Sequence, residues 1–242
     1  MKAFALTNIG IKRNTNQDYA YTSEHNVGNL PNILIVADGM GGHKAGEVAS
    51  EQAVNAVLES IKQNESTDKI SIIEEAITEA NKKVLNMATS DEKFQGMGTT
   101  LVVATLEDNV LYVANVGDSR LYLINDNEIR QITRDHSLVQ EMISLGELDK
   151  ESARTHTSKN VITRAIGVDK KIVADFFEVD IAEKTKILLC SDGLSNMVED
   201  NQINEIIESC EGMTLEDTVH KLIDTANENG GMDNIAVVLA EV

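Results

Sequence analysis

The 242-residue sequence has one proline, two cysteines, no tryptophan and eight other aromatic residues. With so little proline, and with 15 glycines in no repeat, a collagen-like chain or a proline-rich linker is excluded. Cys190 and Cys210 form neither a CxxC pair nor a Cys/His zinc pattern, and they make no disulfide framework for a chain this long. Basic residues are scarce, 21 Lys plus Arg against 40 Asp plus Glu, for a formal charge of −19. That balance disfavours binding to a nucleic-acid backbone or to an anionic lipid surface. No apolar run approaches the ~20 residues of a membrane helix. The start, MKAFALTNIGIKRN, breaks its short apolar stretch at Thr7 and Asn8 and does not read as a secretory signal. The expectation is a cytoplasmic monomer, one domain over residues 1–242, with no nucleic-acid partner and no membrane insertion.

What remains is a globular composition, 42% hydrophobic and 25% charged. A chain of this length buries roughly 70–75% of its unfolded surface, enough for a core without staples. The acidic excess reads as a solvated face or as a site that captures cations. Short β-branched or aromatic runs predict strands at Lys2–Thr7, Asp18–Thr22, Ile33–Ala37, Thr99–Leu106, Val110–Val116, Arg120–Ile124, Ile172–Val179, Ile187–Ser191 and Ile235–Ala240. Asp108–Asn109 and Gly117–Asp118 read as hairpin connections within a meander from Thr99 to Ile124. Helical spacing appears at Val54, Val57, Leu58 and Ile61, at Ile73, Ile77, Ala80 and Val84, and at Leu215, Val219, Leu222 and Ala226 behind a Thr214 N-cap. Each helix has one apolar stripe and so covers one face of a sheet. The expected class is α+β: two antiparallel sheets packed together with helices outside. A doubly wound parallel sheet has no room for its helices in Thr99–Ile124. Residues 144–166 fit neither period and are expected to form an irregular excursion.

Apolar strands repeatedly carry an aspartate to a sheet rim beside glycine. Ile-Leu-Ile-Val-Ala ends in Asp38-Gly39-Met40-Gly41-Gly42-His43, and Ile-Leu-Leu-Cys-Ser ends in Asp192-Gly193. Gly117-Asp118-Ser119-Arg120 and Gly230-Gly231-Met232-Asp233-Asn234 complete the set. Singly, each is an ordinary turn dipeptide. Together they offer clustered carboxylate and carbonyl oxygens without histidine partners, the donors that Mg2+ and Mn2+ prefer. Competing motifs fail: there is no GxxxxGK[ST], HExxH or GxSxG, and Lys44 replaces the third glycine of a dinucleotide loop.

Arg13-Asn14-x-Asn16-Gln17-Asp18, Asp38-Gly39-Met40-Gly41-Gly42-His43, Gly98-Thr99-Thr100, Val116-Gly117-Asp118-Ser119-Arg120, Ser191-Asp192-Gly193 and Asp233-Asn234 occur in order over nearly the whole chain. This series resembles the metal-dependent type-2C protein serine/threonine phosphatases, in particular their bacterial members. The resemblance implies a four-layer α-β-β-α sandwich with two Mn2+ or Mg2+ ions at one end. Asp38 would serve both ions, the Gly39 carbonyl one of them, and Asp192 and Asp233 the other. Asp118 with Asp192 would hold a third, weaker ion. Arg13 would bind phosphate, Asp18 would orient water, and residues 144–166 would form a flap. Two such ions lower the pKa of a shared water and neutralise phosphate oxygens, so phosphoserine and phosphothreonine are hydrolysed without a covalent intermediate. The implied partners are phosphorylated proteins and a Ser/Thr kinase that the enzyme opposes.

Eukaryotic members have a histidine where this chain has Met40. His43 stands either as a substitute proton donor or as a helix-start residue with no proton to deliver. His136 is expected to be structural. The other readings are a catalytically silent fold-mate that only binds, which loss of an acidic ligand would mark, and a phosphatase of an anti-sigma or stress switch, which usually carries sensor domains.

Overall fold

The computed structural model of the chain describes residues 1–42, 44–125 and 128–242. In order it runs β1 (Lys2–Asn8), β2 (Asp18–Ser23), β3 (Ile33–Met40), α1 (Ala45–Gln63), α2 (Lys69–Ser90), β4 (Gly98–Thr99), β5 (Leu101–Glu107), β6 (Val110–Val116), β7 (Arg120–Asn125) and β8 (Glu128–Gln131). There follow α3 (Leu138–Ser144), α4 (Lys150–Thr155), β9 (Asp175–Asp180), β10 (Lys186–Cys190), α5 (Asp192–Ser195), α6 (Asp200–Ser209), α7 (Leu215–Glu228) and β11 (Ile235–Glu241). One sheet has the order β1-β11-β10-β7-β8, the other β2-β3-β5-β6-β9 with β4 beside β3. All of these pairings are antiparallel.

The period of two along a strand decides which layer each side chain enters. On β3, Ile33, Ile35 and Ala37 pack with α1 and α2, while Leu34 and Val36 turn inward between the sheets. On β11, Ile235, Val237 and Leu239 join α6 and α7, and Ala236, Val238 and Ala240 turn inward. Strands covered on both faces read as unbroken apolar runs, as these do. The layers are therefore α1/α2, sheet, sheet, α6/α7, the sandwich expected.

The predicted stripes of α1, α2 and α7 are the buried ones, with Leu215 at the partly buried edge. Thr214 caps α7, its Oγ1 accepting from the Asp217 N–H at 3.1 Å, and Asp68 caps α2 through the Ser71 N–H at 3.0 Å. Asp108 and Asn109, both at positive φ, turn β5 into β6 as a two-residue hairpin.

Gly117–Asp118 departs from the hairpin expectation. β6 pairs with β5 and β9, whereas β7 pairs with β10 and β8. Residues 117–119 thus cross from one sheet to the other, and the meander ends at β6. Gly117 takes a φ of +109° there, a conformation other residues adopt poorly. The strand expected from Ile172 begins at Asp175, opposite Asn115, because β6 offers no partner beyond Val116. β8, a short edge strand of mostly polar residues, has too little apolar alternation to read from sequence. Residues 144–166 are less irregular than expected, since α4 forms within them. The C-terminal part of that stretch is tied down: Val161 O accepts from Leu138 N at 2.8 Å, and Ile166 N donates to Thr99 O at 2.8 Å. No described helix is long and apolar enough to cross a membrane.

Candidate active site

Strand pairing gathers the predicted acids at one end of the sandwich. The β2–β3 register sets Asp18 directly opposite Asp38. The Asp38 backbone is clamped on both sides: its N–H donates to Thr100 Oγ1 at 2.9 Å, and its carbonyl accepts from Thr100 N–H and Thr99 Oγ1, each at 2.9 Å. Thr100 Oγ1 also meets Ser119 Oγ at 2.7 Å in the interior, joining Asp38 to the crossover that carries Asp118. Ser191, just before Asp192, donates from Oγ to Asp18 Oδ2 at 2.6 Å and accepts from Ala236 N–H at 2.8 Å. One hydroxyl thereby joins β2, β10 and β11 beneath the site.

The carboxylates are close enough to oppose one another's ionisation. Burial, then the charges of Asp18, Asp192, Asp118 and Asp233, push Asp38 well above the ordinary carboxylate range. Asp18 rises to about 7, chiefly by burial, against the lowering effect of the Ser191 hydrogen bond. Asp118 rises to about 8 through burial and the charges of Asp192 and Asp135. Asp192 rises to about 6 through burial and Asp233. Low dielectric and like charge both favour the protonated form. Asp18 Oδ1 and Asp192 Oδ1 are buried with no hydrogen-bond partner. Buried acceptors of that kind normally find a donor or a cation.

No group of three His, Cys, Asp or Glu side chains among the described residues closes around one point as a ready metal cage. Asp233 is engaged instead by Arg13, whose Nη2 donates to its Oδ2 at 2.7 Å. Even so, the donor set fits a hard divalent cation. It is all oxygen, it holds orphaned buried carboxylate atoms, and its mutual repulsion is what a cation removes.

Arg13, Asp18, Asp38, Asp118, Asp192 and Asp233 are thus brought to one end, and His43 lies outside the described residues. Gly39 has a steric reason: a Cβ there would collide with the carbonyl oxygens of Gly46 and Gln17. Gly193 has a similar one, in the carbonyl of Asn234. Met40 lies on β3 after Gly39 and pairs with Gly98.

Sequence reasoning missed what holds these groups. Asn234 is buried, donates from Nδ2 to the carbonyls of Ile9 and Thr15 at 2.8 and 2.9 Å, and accepts the Gln17 N–H at 2.9 Å. It stitches the loop bearing Arg13 to the start of β11. Its only sequence signal is its place after Asp233. Arg120 was part of a motif without an assigned task. Its guanidinium grips Asp135 at 2.7 to 3.1 Å and donates to Tyr122 Oη at 2.9 Å, anchoring the exit of the crossover. His136 is structural as expected: its Nδ1 accepts the Gly117 N–H at 3.1 Å, steadying the same crossover. A cleft of about 520 Å³ opens beside Asp118 and Asp192, with Gln140, Arg154 and Asn196 on its walls.

Comparison with known proteins identifies the family and the fold. Residues 11–240 match the family model of protein phosphatase 2C. The serine/threonine phosphatase stp of Listeria monocytogenes is 43% identical over 245 aligned positions, covering 100% of this chain and 96% of that protein. The crystal structure of the serine/threonine phosphatase Stp1 from Staphylococcus aureus superposes with a TM-score of 0.91 at 33% identity, covering 100% of this chain and 94% of that one. The catalytic domain of the serine/threonine protein phosphatase PstP, solved in complex with two manganese ions, superposes with a TM-score of 0.86 at 31% identity over 99% of this chain and 97% of its own. With its sandwich, its ordered motifs and a family match over nearly its full length, the chain belongs to the protein phosphatase 2C family and is an enzyme, a protein phosphatase.

Proposed function

We propose that this chain hydrolyses phosphoserine and phosphothreonine in proteins and opposes a bacterial Ser/Thr kinase, acting as a cytoplasmic monomer with one catalytic unit over residues 1–242. The observation that carries the reading is the convergence of Asp18, Asp118, Asp192 and Asp233 on Asp38. Asp38, the Gly39 carbonyl, Asp192 and Asp233 would hold two Mn2+ or Mg2+ ions, and Asp118 with Asp192 a third, weaker one. Such ions, when bound, supply a water of lowered pKa and neutralise phosphate oxygens.

The chain's own residues do the positioning. Arg13 is half exposed and offers a planar guanidinium fork for phosphate oxygens. Asp18, fixed through Oδ2 by Ser191, keeps Oδ1 free of hydrogen-bond donors and so able to orient water. Residues 144–166 act as a flap over the cleft, with Arg154 Nη2 meeting Ser195 O at 3.4 Å. His43 enters only as the resemblance placed it, a candidate proton donor.

The test is turnover of a phosphothreonine peptide after exhaustive chelation. Activity should vanish and return with Mn2+ or Mg2+. Full activity in the chelated protein would overturn the reading. Asp118→Ala separates a cation-holding acid from a mere connection residue. It should leave the metal-free melting temperature unchanged or higher, because a buried repulsive acid is removed. It should also lower kcat about tenfold or more and shift the dependence on added Mn2+. A destabilised variant whose folded fraction works normally at every Mn2+ concentration would leave Asp118 a structural role only.

A further inference from the structure

Three large apolar side chains stand exposed where two loops meet beside the candidate site. Ile9 is 39% exposed, Ile11 60% and Met232 56%. The backbone brings them together: the N–H groups of Ile11 and Lys12 both donate to the Gly231 carbonyl, at 2.8 and 3.0 Å. Ile11 lies so close over Gly231 that a Cβ there would sit 2.8 Å from its Cγ1. Asn234 holds the same loop through the Ile9 and Thr15 carbonyls. Main chain and a buried amide therefore fix these loops, while the side chains of Ile11 and Met232 remain more than half exposed. Single exposed apolar residues are ordinary, whereas a group of them beside a site marks a contact surface.

Their position says what makes that contact. Ile11 stands two residues before Arg13, Met232 stands immediately before Asp233, and Arg13 and Asp233 are joined at 2.7 Å. A phosphorylated side chain that reaches Arg13 carries its sequence neighbours across these two loops. We infer that Ile11 and Met232 form an apolar ledge that receives a nonpolar side chain of the phosphoprotein substrate, beside the phosphorylated Ser or Thr, and so sets sequence preference. The inference rests on the phosphatase reading above and names a determinant of its substrate class. Methionine suits such a ledge, since its flexible thioether adapts to differently shaped apolar partners.

The test uses the full chain loaded with Mn2+ and a series of phosphothreonine peptides in which one leucine replaces serine at each flanking position in turn. Wild type and the double variant Ile11→Ser/Met232→Ser are compared, with p-nitrophenyl phosphate as the probe that has no flanking residues. At one or more positions leucine should raise wild-type kcat/KM about fivefold, roughly what half-covering one leucine side chain supplies. The double variant should lose that ratio, with the loss confined to the peptides and with an unchanged melting temperature. A flat leucine profile, a preference that survives in the double variant, or an equal loss on p-nitrophenyl phosphate would each overturn the ledge alone. A wild-type dimer in sedimentation that the double variant dissociates would also overturn it, making the patch a contact between copies. No hydrolysis of any probe by the Mn2+-loaded wild type would bring down the phosphatase reading itself, and the ledge with it.

Discussion

Asp38→Asn is expected to lower kcat on a phosphothreonine peptide more than tenfold, while raising the melting temperature of the metal-free protein. The two effects have one source. Asp38 sits where the charges of Asp18, Asp192, Asp118 and Asp233 all oppose its ionisation, on top of its burial. An isosteric amide removes that repulsion and supplies N–H donors to the neighbouring acids, exchanging a like-charge contact for a hydrogen bond. A gain of about 1 kcal/mol raises the melting temperature by roughly 2–4 °C in a chain of this size. The same change withdraws a carboxylate from both proposed cations, so turnover falls by at least about 1.4 kcal/mol of barrier. Melting curves with and without Mn2+, beside kcat, decide the matter. A variant that keeps more than a tenth of wild-type kcat would show that Asp38 does not serve both ions. One that simply melts lower would show that the carboxylate stabilises the end of β3 instead.

The second large effect is on stability against pH. Asp192, Asp18 and Asp118 have folded-state pKa values of about 6, about 7 and about 8, above the ordinary 3.8 they regain on unfolding. Between about pH 4 and pH 8 the folded chain therefore binds more protons than the unfolded one, and its stability declines as pH rises. Asp175 has the opposite sign. Hydrogen bonds from Arg164 and His136 outweigh its partial burial and hold it below the ordinary range, so its contribution is lost only in stronger acid. The metal-free protein should accordingly melt several degrees higher at pH 5 than at pH 8. Mn2+ should reverse that order. At about a hundred times its dissociation constant a ligand adds roughly 2.7 kcal/mol, or about 5–10 °C here, and it does so only where the acids are ionised. Calorimetry at pH 5 and pH 8, with and without Mn2+, checks this. A Mn2+ shift of equal size at both pH values would mean that the ion binds away from these carboxylates.

Much of the fold was legible because its strands and helices are locally consistent. The runs at Ile33–Ala37, Val110–Val116 and Ile235–Ala240 fall on β3, β6 and β11, and the stripes of α1, α2 and α7 are the buried ones. Elements carried by few apolar residues were not legible. β8 is polar, α4 is short, and α6 is steadied by packing on the outer face of a sheet. The acids of the site were legible as residue types at strand ends. Their supports were not, since Asn234 bonds chain more than 200 residues away and Ser191 bonds Asp18 across 173 positions.

Sequence alone determined the class of the protein: an acidic, two-sheet α+β chain whose ordered Asp-Gly motifs mark it as a type-2C phosphatase. Strand period, turn chemistry and residue type are local properties, written in neighbouring positions. Only the tertiary structure decided that residues 117–119 cross between the sheets rather than close a hairpin, and that Arg13 lies against Asp233. It alone brought Ile11 and Met232 together on the surface beside them, through the bonds to Gly231. These are contacts between segments far apart in the chain. They are set by which sheet edge remains open and which buried polar group still needs a partner, and neither is a property of any stretch of sequence taken by itself.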